Sequence, residues 1–113
     1  MAYEAEGRQI AAQLAQQYGK LLEAQLEPGM KIILKFERGV WPVPGNFIFK
    51  YGYSGSGSDC FYAFLEASGF LIPKSSVVDG KSGDVLYPWM GPSKVVYVFD
   101  NKWLYPLRYF INQ

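Results

Sequence analysis

An α+β fold is what this chain predicts: one N-terminal helix packed on a curved, mainly antiparallel sheet, a meander of short strands ending in a C-terminal hairpin. Three observations carry that expectation. Apolar residues recur at helical spacing near the N-terminus, residues 30–37 alternate with period two, and two apolar runs near the C-terminus are separated only by Asp100 and Asn101. With 113 residues, the chain is read as one domain spanning 1–113. A chain of this size hides roughly two-thirds of its unfolded surface, enough for one core.

Residues 3–26 are expected to be helical. Ile10, Leu14, Tyr18 and Leu21 form a stripe, widened by Ala11, Ala15, Leu22 and Leu26. Glu4 and Glu6 suit the positive end of the dipole, and Pro28-Gly29 supplies a stop. Gly7 and Gly19 count against it, each costing about 1 kcal/mol relative to Ala. The face bearing Gln9, Gln13, Gln16 and Gln17 reads as solvated.

Met30 to Glu37 is expected as a half-buried strand, with Ile32, Leu34 and Phe36 on one side. Arg38-Gly39 begins a turn. Two prolines, Pro42 and Pro44, argue against a regular ladder over residues 40–45. Asn46 to Tyr53 is expected as a second strand, and Ser54 to Asp59 as a flexible polar loop. Residues 60–68 suit either state. Ala63, Leu65, Glu66 and Ala67 favour helix, with Asp59 as N-cap, whereas Cys60-Phe61-Tyr62 favours strand. The strand is preferred, because it would form a hairpin with residues 46–53. Lys74 to Asp84 is polar and turn-like, and Val85 to Met90 is a short aromatic run interrupted by Pro88. In the C-terminal hairpin, Lys94–Phe99 faces Lys102–Ile111. Pro106 would fall opposite Val95 at a bonded position, so a bulge or break is expected there.

Composition removes several chemistries. A net charge of +1 disfavours a nucleic-acid or membrane partner held by electrostatics. No apolar run reaches membrane-spanning length, and the N-terminus lacks the basic start and apolar core of a signal peptide. One cysteine fits a reducing compartment, so a cytoplasmic location is expected. The absence of histidine removes the commonest general base and the commonest metal ligand. No metal site and no cofactor site are expected. Cys60 lacks an imidazole to activate it and reads as a small buried apolar residue. The Gly52–Gly57 region and Gly80-Lys81-Ser82 lack the spacing of a phosphate-binding loop. Asp79 and Asp84 bracket a turn and do not have the oxygen-ligand alternation of a calcium loop.

What remains is recognition. Aromatics make up 18% of the chain, and nine of them are Tyr, a residue that buries a ring while keeping a wet hydroxyl. Trp41, Tyr51, Tyr53, Trp89 and Met90 lie in Pro- and Gly-rich segments or beside the Ser-Gly loop, where large side chains are often presented to a partner. Arg38 and Arg108 could add bidentate contacts. The plainer alternative makes Trp41 and Trp89 lids over the sheet ends. The expected function is therefore that of a small non-catalytic binding protein of inhibitor, immunity or accessory type. Its partner would be another protein, with self-association a further option. A sheet protein binding a small molecule or carbohydrate across Tyr51, Tyr53, Trp103 and Tyr105 is the alternative. A small histidine-independent enzyme ranks third, since no nucleophile–base pair can be drawn.

Overall fold

A computed structural model describes residues 2–89. The order is α1 (Ala2–Tyr18), β1 (Leu21–Glu27), β2 (Lys31–Phe36), β3 (Gly39–Pro42), α2 (Ser56–Ala67), α3 (Ser75–Val78) and β4 (Val85–Leu86). The four strands form one antiparallel sheet in the order β3-β2-β1-β4. The α+β architecture with an N-terminal helix is therefore as the sequence predicts. The expected C-terminal hairpin over 94–111 lies outside the described residues.

The first helix is shorter than its periodicity suggests. It ends at Tyr18, and Gly19 turns the chain at a φ of +88°, a left-handed conformation that glycine adopts without a Cβ penalty. Residues 21–26, expected as the helix's last turns, instead lie in β1. The ambiguity has a structural cause. Leu21, Ala24 and Leu26 are all buried, but a register shift between Leu21 and Glu23 breaks the strict alternation by one residue. The irregular strand then mimics a helical stripe.

β1 and β2 form a hairpin around Pro28-Gly29-Met30, and β2 has the burial alternation expected of it, with Ile32, Leu34 and Phe36 inside. The polar face carries Glu23 against Lys35 at 3.7 Å. β3 pairs with β2 despite the prolines. The Val43 N–H donates to the Ile32 carbonyl, so one residue earlier Pro42 directs its missing donor away from β2. Pro42 therefore blunts an edge and leaves the ladder intact.

Two further expectations are corrected. Residues 46–53 form no strand, and 60–68 lie mostly in helix α2, which begins at Ser56 inside the supposed flexible loop. Cys60, Phe61, Phe64 and Leu65 all point into the core from α2, a spacing only a helix can satisfy. With no strand at 46–53 there is no hairpin partner to hold this segment extended. Ser58 is fully buried and donates its hydroxyl to the Tyr53 carbonyl, which fixes the loop to the helix start.

A single cluster of buried side chains joins α1, α2 and one face of the sheet. The two helices are in close contact at Gly7, where a Cβ would collide with the Cys60 carbonyl oxygen and lie 3.1 Å from the Phe64 nitrogen. No described helix is long and apolar enough to cross a membrane.

Candidate functional site

The described residues line a groove of about 400 Å³ between α1 and the chain that leaves β3. One wall is Glu6, Ile10, Gln13 and Leu14. These follow one another at i, i+4, i+7 and i+8, so they share one helical stripe. The other wall is Trp41, Asn46, Phe47 and Ile48. Trp41 lies opposite Leu34 in the ladder, which puts its indole on the helix side of the sheet.

The second wall is held from within. Phe47 donates its N–H to the Pro44 carbonyl at 3.0 Å and accepts the Lys50 ammonium on its own carbonyl at 2.8 Å. Its ring meets Trp41 edge to face at 5.4 Å and Phe49 edge to face at 4.9 Å. Phe49 is buried and packs against Phe61 and Phe64 of α2 at 5.1 and 4.9 Å. A continuous run of rings thus connects the groove to the core. Trp41, Phe47, Ile10 and Ile48 remain half-buried, each with part of its apolar surface in water.

Glu6 is the one ionisable group lining the groove. Its side chain is exposed. Its charge also reaches Cys60, whose thiol is pushed up to about 11, first by burial and then by Glu6. That thiol is fully enclosed and held protonated, the state opposite to that of an activated nucleophile. Among the described residues, no group of three or more His, Cys, Asp and Glu is placed to hold a metal ion.

The residues singled out from the sequence are not gathered in one place. Trp41 is in the groove. Tyr51 is 4% exposed and its hydroxyl donates to the Glu27 carbonyl, so it belongs to the frame. Tyr53 is 49% exposed, beside the start of α2. Tyr51 and Tyr53 therefore do not share an open aromatic face. Arg38 sits at the C-terminal end of α1, with its guanidinium toward the Gln16 carbonyl at 3.4 Å, where a cation complements the helix dipole. Trp89 is 61% exposed and forms an isolated bridge with Leu71 beyond β4, at the sheet edge opposite Trp41. Met90, Trp103, Tyr105 and Arg108 lie outside the described residues.

Sequence reasoning missed Phe47 and Ile48 as surface residues because it assigned them to a regular strand. It placed Ile10 and Leu14 in the core stripe, where Leu14 is buried and Ile10 half-buried. No family model matches the chain, no curated protein matches it, and no solved structure matches it.

Proposed function

We propose that this is a small non-catalytic binding protein and that a partner protein docks in the groove between α1 and β3, with Trp41 as its anchor. The observation that carries this reading is the backing of Trp41 and Phe47 by a stack of rings reaching the core. A half-buried indole fixed in this way gains contact area on binding while losing little side-chain freedom. The lining supports recognition more than chemistry, since a single carboxylate there faces no base, nucleophile or cation among the lining residues. Edge pairing by a partner strand is a poorer mode. Pro42 takes one donor off the outer edge of a strand only four residues long.

The groove also lies within the size range of small-ligand sites, which keeps a small-molecule reading second. Capture from an extract of the source organism separates the two. A partner protein retained by the native chain and lost with Trp41→Ala supports docking; stabilisation of the native chain by one class of small molecule, with no such protein, supports the alternative.

A further inference from the structure

The groove has a polarity along its length. Glu6 stands at the end nearer the start of α1, and Ile10 and Leu14 follow it on the same stripe, facing Trp41 and Phe47 across the gap. No lysine or arginine lines the groove, and neither a hydrogen bond nor an ion pair engages the Glu6 carboxylate among the described residues. Glu4, two residues earlier, differs: its charge acts on Lys74, next to α3. The groove thus offers an apolar trough with one negative charge at its end.

We infer that the groove selects a partner segment carrying a lysine or arginine a short, fixed spacing from an apolar residue, the cation at Glu6 and the apolar side chain between Ile10, Leu14 and Trp41. This rests on the docking reading above and adds the chemistry of the occupant. A long basic side chain suits both features, because its aliphatic stem lies on apolar surface while its head stays at the charge. The spacing follows from the helix. Glu6 and Ile10 are four residues apart, about 6 Å along the axis at 1.5 Å per residue. Two residues of extended chain span about the same distance. The basic and apolar residues should therefore be two apart in an extended segment or four apart in a helical one.

The test is selection of random twelve-residue peptides on the full chain, counter-selected on Trp41→Ala. Peptides retained by the native protein should share Lys or Arg at one of those spacings from an apolar residue. Their affinity should fall about two- to fivefold in Glu6→Gln, the size expected for an ion pair at an exposed carboxylate. Pairing Glu6→Lys with a peptide whose basic residue is changed to Glu should restore binding. Glu6 is exposed, so both variants should remain folded, which unfolding curves check. Groove-dependent peptides with no basic residue, bound equally by Glu6→Gln, overturn this inference and leave docking standing. Peptides bound equally by Trp41→Ala overturn docking itself. A concentration-dependent dimer in sedimentation, dissolved by Trp41→Ala, overturns the inference by making a second copy the occupant.

Discussion

The indole of Trp41 meets the ring of Phe47 edge to face, with centroids 5.4 Å apart and planes at 84°, and Phe47 meets Phe49 at the same angle. The three rings pass from half-buried to enclosed. Truncations along the row should therefore separate recognition from folding. Phe49→Ala removes a buried ring touching two rings of α2 and should cost about 3–5 kcal/mol. Trp41→Ala, at the wet end, should cost about 1 kcal/mol, since only part of its surface is lost from an apolar environment. Denaturant unfolding of both variants checks this. Equal losses would place Trp41 inside the core and remove it as an anchor.

At Gly7 the backbones of α1 and α2 are in close contact, and helix propensity gives the wrong sign for its replacement. In an isolated helix, Gly→Ala gains about 1 kcal/mol. Here the added methyl meets the carbonyl oxygen of Cys60, a backbone atom that cannot rotate away. Gly7→Ala should instead lower stability by about 1–3 kcal/mol, the usual range for overpacking. Ala5 is exposed on the same helix, so Ala5→Gly should cost about 1 kcal/mol from propensity alone. A stabilised Gly7→Ala, measured by the same unfolding, would show that the helices are not in contact there.

Cys60 gives a pH signature. Its thiol rises from the usual 9.0 to about 11 in the folded chain, burial being the larger cause and Glu6 the smaller. Below pH 9 the thiol is protonated whether the chain is folded or not, and it contributes no slope. Above that, the unfolded chain releases the proton while the folded chain holds it. Stability should therefore fall between about pH 9 and 11 through this group. Tyr and Lys side chains titrate in the same window, so the comparison is with Cys60→Ala. The native chain should lose more stability than the variant across that interval. Parallel pH profiles would mean that the thiol is not sequestered.

The parts legible in the sequence are those whose signal is local and regular. β2 shows because Ile32, Leu34 and Phe36 alternate without interruption, and Pro28-Gly29 marks the end of the element before it. β1 was hidden, since its register shift spaces Leu21, Ala24 and Leu26 much as a helix would. α2 was misassigned for a tertiary reason. Phe61, Phe64 and Leu65 already had helical spacing, but a strand partner at 46–53 was assumed that does not form. The groove was half legible. Trp41 follows from its Pro-rich surroundings, whereas Phe47 becomes part of the site only because Lys50 and Pro44 bind its backbone and Phe49 supports its ring. None of those contacts has a sequence period.

The most direct measurement is the affinity of a captured partner for the native chain and for Trp41→Ala, with unfolding curves recorded on both. Anchoring at the groove predicts a loss of at least about thirtyfold for Trp41→Ala, corresponding to about 2 kcal/mol at an interface hot spot. Trp89→Ala, altered at the opposite sheet edge, should stay within about twofold of the native chain. A partner that binds a folded Trp41→Ala as tightly as the native protein would contradict docking at the groove between α1 and β3.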